Sequence, residues 1–221
     1  MSTTSAKAYK GVGMEGLTAK WYAKNTAKSM NEFRSDARRV AALLAPDAKV
    51  LEVAPGPGYF AIELAQMGGY EIIGLDISKT FVEMAQRNAA QAGARAEFRL
   101  GSASNMPFES KQFDFLFCRA AFKNFSEPVR ALQEMHRVLK TGGRALIVDL
   151  RRDAPLESVN KHVAHMGLGF FSSFSTRMAF HFMLLKRAYT KSDFERFLAQ
   201  TQFRSVRIDE RDLGMDIWLQ K

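Results

Sequence analysis

Apolar residues along this chain alternate between short continuous runs and helical spacing. Val50-Leu51 with Val53-Ala54, Ile72-Ile73 with Leu75, Phe115-Leu116-Phe117-Cys118 and Ala145-Leu146-Ile147-Val148 are too short for helices and too uninterrupted for half-exposed strands. Such runs fit strands covered on both faces of a sheet. The predicted strands are residues 49–54, 70–75, 94–100, 113–118 and 144–150. Between them the spacing predicts helices over residues 58–67, from a Ser78 cap to a Gly93 stop, and over 126–140. Pro128 fits the first turn of the last of these, where its missing N–H is not needed. Ser29 and Glu32 form a capping box ahead of a helix ending near Leu44. Strands alternating with helices predict a parallel sheet in an α/β fold.

Beyond Leu150 the alternation breaks. Phe171, Phe174, Met178, Phe182 and Leu185 recur at three- and four-residue steps, which is one apolar face of a helix. Packing against the sheet edge is its first reading, and a wall for a greasy substrate its second. Thr190 and Asp193 open a last helix that runs to Thr201, and residues 203–210 and 215–220 read as closing strands. The first dozen residues are small, polar and basic, and are expected to be mobile. With no repeat or linker, one domain is expected: an N-terminal segment 1–45, a core 46–150, a helical insertion 151–190 and a closing unit 191–221.

The ends of the first two strands carry the chemistry. Gly56, Gly58 and Ala61 satisfy the glycine pattern of a nucleotide-binding turn, and Asp76 follows at the spacing of an acid that holds a ribose, about 20 residues on. Two ligand classes use that arrangement. A nicotinamide dinucleotide brings a pyrophosphate that needs several backbone N–H donors. Pro57 offers none, and the Glu52 carboxylate repels the phosphates. That carboxylate suits a ligand with an ammonium and a sulfonium, as in S-adenosylmethionine.

On these residues the chain resembles the class I S-adenosylmethionine-dependent methyltransferases, and within them the ubiquinone/menaquinone biosynthesis group. The family's acid-and-glycine motif appears as Glu52-Val53-Ala54-Pro55-Gly56-Pro57-Gly58, with Ala54 in place of the first glycine; Asp76-Ile77 matches the second motif, and Leu139-Lys140-Thr141-Gly142-Gly143 the turn before strand five. Gly101-Ser102-Ala103 stands where the group often has Gly-Asp-Ala, and Lys123-Asn124 where it has a histidine pair. The resemblance implies a Rossmann-like, seven-stranded, mostly parallel sheet in which the closing pair supplies an antiparallel strand at the edge. It implies methyl transfer to a small-molecule acceptor by in-line displacement, giving S-adenosylhomocysteine. Cofactor contacts then fall to Glu52 (methionine end), Asp76 (ribose hydroxyls), Ile77 and Ala103 (adenine) and Ser102. Ala54, Gly56 and Gly58 allow close backbone approach, Arg119 touches the methionine carboxylate, and Tyr22, on an aromatic helix with Trp21, serves as lid. Lys123, Asn124, His162 and His165 are the catalytic candidates, with Arg187 and Tyr189 on the substrate side. An NAD(P)-dependent oxidoreductase and a cofactor-binding module without methylating activity are the alternatives.

Length and composition narrow the field further. With 221 residues and 47% hydrophobic content the chain builds one α/β core. Cys118 alone makes no disulfide framework, and no His-x-x-x-His pair or G-x-S-x-G elbow is present, so neither a metal nor Ser-His-Asp chemistry is expected. No apolar run is long enough to span a bilayer and the first residues lack a secretory signal, so a cytoplasmic monomer or homodimer is expected. The net charge of +9 lies outside the core: residues 51–150 carry 11 basic against 11 acidic side chains, residues 1–50 carry 9 against 4, and residues 151–221 carry 12 against 8. Without aromatic residues interleaved among them, these charges read as a solvated surface before a nucleic-acid track, and an anionic substrate is their second reading.

Overall fold

The continuous apolar runs become the centre of one sheet. A computed structural model describes residues 9–10, 13–165 and 184–221. Among these residues the strands are β1 Lys49–Val53, β2 Glu71–Asp76, β3 Ala96–Leu100, β4 Phe113–Arg119, β5 Leu139–Leu150, β6 Ser205–Glu210 and β7 Gly214–Gln220. They lie in the order β3-β2-β1-β4-β5-β7-β6. From β3 to β5 all neighbours are parallel, whereas β7 runs antiparallel to both β5 and β6. The order reverses between β1 and β4, the place where open α/β sheets bind ligands beyond the strand C-termini.

The helices are α1 Gly16–Thr26, α2 Met30–Ala41, α3 Tyr59–Ala65, α4 Lys79–Gln91, α5 Pro128–Val138, α6 Leu156–His165 and α7 Lys191–Leu198, with a single turn at Leu185–Arg187. Alternate residues of each central strand serve opposite layers. Phe115 and Phe117 of β4 pack with Val50, Phe60, Leu64 and Val40 under α2, α3 and α4, and the Phe60 and Phe117 rings stack at 3.9 Å. Leu116 and Cys118 pack with Leu51, Val53, Leu132, Met135 and Phe194 under α5 and α7. Central strands covered on both faces have no place for the polar alternation of a half-exposed strand.

Ser78 and Thr190 cap their helices as the sequence predicts: Ser78 Oγ accepts from the Phe81 N–H, and Thr190 and Asp193 form a full capping box. Ser29 does not. The chain enters α2 through a 3-10 turn, Ala27–Ser29, and Glu32 is drawn to Arg119 instead, so the capping box is absent. At the other end of the sheet β5 already starts at Leu139, where a turn is predicted. Phe113 pairs with Leu139, the register then shifts, and Gly142 takes a φ of +79° in the bulge. Of the apolar repeat, Phe171, Phe174, Met178 and Phe182 lie outside the described residues.

Candidate active site at the C-terminal edge of the sheet

The loop after β1 is shaped by three residues in the left-handed region: Ala54 (φ +58°), Gly56 (+54°) and Gly58 (+82°). Gly58 leaves no choice of side chain, because a Cβ there would stand 2.9 Å from Ala85 Cβ and from Phe98 Cζ. Ala54 adopts the conformation that the motif gives to glycine, at a cost of roughly 1 kcal/mol for an L-residue. The loop is tied to β2. The Ala54 N–H donates to the Leu75 carbonyl at 2.8 Å, and the Gly56 N–H donates to Asp76 Oδ2 at 3.0 Å. Asp76 Oδ1 accepts from the Ser78 N–H at 2.9 Å, and the Gly101 N–H donates to the Asp76 carbonyl at 2.8 Å. Burial pushes the Asp76 carboxyl up to about 6, against those N–H bonds, which pull it down. A carboxylate has about four acceptor positions, so two remain for ligand hydroxyls. Ile77 beside it is 45% exposed, an apolar surface left uncovered at the same edge.

Glu52 lies beneath the loop. Its Oε2 accepts from the Ala61 N–H at 3.1 Å, holding the first turn of α3, while Oε1 takes no bond from a described residue. Burial pushes this carboxyl up to about 8. Several donors that a pyrophosphate would use are thus taken: Gly56 donates to Asp76, Gly58 to the Pro55 carbonyl at 3.0 Å and Ala61 to Glu52, and Pro57 has no N–H.

The N-terminal segment covers this edge. Glu15 caps α4 by accepting from the Lys79 and Thr80 N–H groups at 3.0 and 3.1 Å, and Ser78 Oγ donates to the Met14 carbonyl at 2.5 Å. So anchored, α1 places Tyr22 edge-on to Phe81 at 5.7 Å; a Cβ on Gly56 would lie 3.9 Å from Tyr22 Cε1. Tyr22 therefore sits beside the glycine loop, and burial pushes its phenol up to about 12. Trp21 turns to solvent at 68% exposure. Tyr9 and Lys10 fall within the stretch expected to be mobile, yet they are held: Tyr9 bridges Phe125, and the Lys10 N–H donates to the Asn124 carbonyl at 2.7 Å.

The β4–β5 half of the edge is arranged differently. Arg119 ends β4 with its guanidinium committed to Asp36 and Glu32 of α2 and lying over the Phe33 ring at 5.3 Å. Lys123 is 4% exposed; its ammonium meets Asp149 Oδ1 at 2.9 Å, and its N–H donates to Asp149 Oδ2 at 2.8 Å. A lysine so engaged is a structural cation and no base for a substrate. Asn124 contributes its carbonyl to Lys10. Ser102 Oγ accepts from the Ser104 N–H at 3.2 Å, shaping its own turn, and Ala103 packs on the core. His162 and His165 sit three apart on α6, and their side chains lie outside the described residues. Among the described residues no three His, Cys, Asp or Glu side chains gather to hold a metal. No helix among them is long and apolar enough to cross a membrane.

Sequence reasoning missed Asp149, Glu15, Tyr9 and Lys10. Asp149 carried a signal, since it ends an apolar strand as Asp76 does. The other three carried none, because they act across 64 residues or more of chain. A groove of about 900 Å³ lies elsewhere, between Gly68–Ile73 and Gly93–Phe98 where β2 and β3 start.

Residues 51–147 match the family model described as a methyltransferase domain. That stretch of the chain is similar to the methyltransferase domain family. Its relatives by sequence include a demethylmenaquinone methyltransferase of Deinococcus radiodurans, 35% identical over 46% of this chain and 42% of that protein, and a ubiquinone/menaquinone biosynthesis C-methyltransferase of Geotalea daltonii, 30% identical over 59% and 60%. The chain thus spans about two fifths to three fifths of the length of the curated relatives it matches. By structure it is similar to a SAM dependent methyltransferase from Aquifex aeolicus (TM-score 0.65, 19% identity, 84% of this chain and 89% of that one). The plantazolicin methyltransferase BpumL, solved with a triazolic desmethylPZN analog and SAH, gives a TM-score of 0.72 at 16% identity over 92% and 90%. The chain therefore has the fold of these methyltransferase structures and is similar in sequence to the ubiquinone/menaquinone group.

Proposed function

We propose that this protein binds S-adenosylmethionine and transfers its methyl group to a small-molecule acceptor, releasing S-adenosylhomocysteine. The observation that carries the reading is the Gly56–Asp76 junction. It holds a glycine loop and a carboxylate with open acceptor positions side by side at the switch point of the sheet. The residues fit the cofactor. Asp76 would accept the two ribose hydroxyls, Ile77 would cover one face of the adenine, and Glu52 Oε1 would face the ammonium. Gly56, whose missing side chain leaves only Tyr22 Cε1 within 4 Å of where a Cβ would stand, would let the backbone approach the cofactor closely. When bound, S-adenosylmethionine supplies a methyl carbon already activated by its sulfonium.

The chain's own residues then have a limited task. They hold the acceptor in line, exclude water and, for a hydroxyl acceptor, remove a proton. Tyr22 and α1, anchored through Glu15 and Met14 to the start of α4, screen the loop from solvent. Lys123, closed onto Asp149, keeps the β4–β5 tips together. The dinucleotide alternative is disfavoured by the Glu52–Ala61 bond, which takes one of its phosphate donors and puts a carboxyl beneath the loop.

Calorimetric titration with S-adenosylmethionine, S-adenosylhomocysteine and NADH tests the reading, with Asp76→Ala as control. Binding of the first two that is lost in the control is expected. Binding of NADH alone, or of none of the three, overturns it.

A further inference from the structure

Two cations overhang the acceptor side of this edge without a carboxylate of their own. Lys10 is carried there by the Tyr9–Phe125 bridge; its ammonium donates to the Tyr189 hydroxyl at 2.5 Å and lies 5.0 Å from that ring's centre. Arg187, exposed at the end of the turn Leu185–Arg187, stands two residues before Tyr189, and its charge acts on the Tyr9 phenol. Tyr189, which Lys10 holds, bridges Arg151 just past β5, so the cluster lies beside the tip of that strand. All 23 Asp and Glu residues of the chain lie among the described residues, and none pairs with Lys10 or Arg187. The surrounding cations differ in this respect. Arg119 has Asp36 and Glu32, Lys123 has Asp149, Arg151 has Asp153 and Glu210, and Arg152 has Asp193.

We infer that Lys10 and Arg187 bind an oxyanion, a carboxylate or a phosphate, carried by the methyl acceptor. The inference rests on the methyl-transfer reading of the same site. A guanidinium offers a planar fork of donors matched to either oxyanion, and the ammonium adds a second charge beside it. The half-buried rings of Tyr9 and Tyr189 put apolar surface next to the charges; Tyr189 stands edge-on to Phe197 at 4.9 Å and to Phe122 at 6.0 Å. The acceptor is therefore an anion with an apolar, aryl-like body. The excess of basic residues in segments 1–50 and 151–221, which contribute Lys10 and Arg187, steers such an anion to the edge.

The full chain is titrated with benzoate, phenyl phosphate and uncharged benzamide while the Arg187 Nε–Hε resonance, assigned by its loss in Arg187→Gln, is followed by NMR. Saturating shifts are expected with at least one of the anions, about tenfold tighter than with benzamide, and weakened in Lys10→Gln. Response to benzoate alone or to phenyl phosphate alone identifies the oxyanion. No shift with either anion, an equal shift with benzamide, or indifference to Lys10→Gln overturns the inference. S-adenosylhomocysteine is titrated by calorimetry on the same samples. Its failure to bind removes the methyl-transfer reading, whereas its binding without an anion response removes only the oxyanion site.

Discussion

Asp76 and Asp149 end strands on opposite sides of the switch point, and both are 5% exposed. Their surroundings are opposite. Asp76 receives only backbone N–H groups, from Gly56 and Ser78, and keeps half of its acceptor capacity. Asp149 receives the Lys123 ammonium together with the N–H groups of Lys123 and Leu150. Depth and strand position do not separate a binding carboxylate from a structural one. The donor set does: a carboxylate with no internal cation keeps acceptor positions open to a ligand, and one with its own lysine is complete without it.

The sharpest way to break this comparison is to remove the lysine. Lys123→Met leaves Asp149 buried without a counter-charge, and a loss of about 3–5 kcal/mol in unfolding free energy is expected, read by urea denaturation. Replacing both residues, Lys123→Met with Asp149→Leu, is expected to recover most of that loss, because an apolar pair carries no desolvation cost. A single variant as stable as the parent would show that the two carboxylates are not different in kind.

Removing Asp76 gives the reciprocal result. Asp76→Ala is expected to weaken S-adenosylhomocysteine binding about 100-fold, about 2.7 kcal/mol, through two lost charge-assisted hydrogen bonds, with a smaller change in unfolding free energy than Lys123→Met. Hydroxyl donors favour the ionised carboxylate. With Asp76 at about 6 in the free protein, affinity is expected to fall as the pH drops below that value, and calorimetry across the pH range checks it. A flat affinity profile would mean that Asp76 meets no ligand donor.

The β1–β2 half was the legible half. Glycine turns, a cap such as Ser78 and an acid after an apolar run are local signals, and a window of a few residues contains all that is needed to read them. The β4–β5 half depends on partners far apart in sequence. Lys123 reads as a reactive cation until Asp149 is found 26 residues on, and Arg119 reads as a free guanidinium until α2, 83 residues earlier, brings Asp36. Ser29 failed as a cap for the same reason: Glu32, half of the box, is taken by Arg119. Tyr9 and Lys10 were unreadable, since nothing in a small, polar segment announces a bridge to Phe125.

Glu52 lies between the two cases, with one backbone donor and no cation. Burial pushes its carboxyl from 4.5 up to about 8. The folded protein then holds a proton that the unfolded chain releases, so this group's contribution to stability is complete below about pH 4.5 and is lost as the pH rises through about 8. Glu52→Gln keeps an acceptor for the Ala61 N–H and removes the titration. It is expected to be the more stable of the two at alkaline pH and to differ little in acid, with thermal unfolding at several pH values as the check. Equal slopes for the two proteins would place the proton elsewhere.

The smallest effect concerns the loop that joins the halves. Ala54 holds a φ of +58° between two hydrogen-bonded anchors, its own N–H on Leu75 and the Gly56 N–H on Asp76. An L-residue held there costs roughly 1 kcal/mol relative to a relaxed conformation, and glycine removes that cost while adding freedom to the unfolded chain. Ala54→Gly is therefore expected to stabilise the protein by about 0.5 kcal/mol and to leave S-adenosylhomocysteine affinity unchanged, because the anchors are backbone groups. Gly58→Ala at the other end of the loop should destabilise it, since its Cβ would lie 2.9 Å from Ala85 Cβ. If Ala54→Gly weakened binding instead, the methyl group itself would be part of the cofactor cradle, and the departure from the glycine motif would be a contact with ligand and not a tolerated strain.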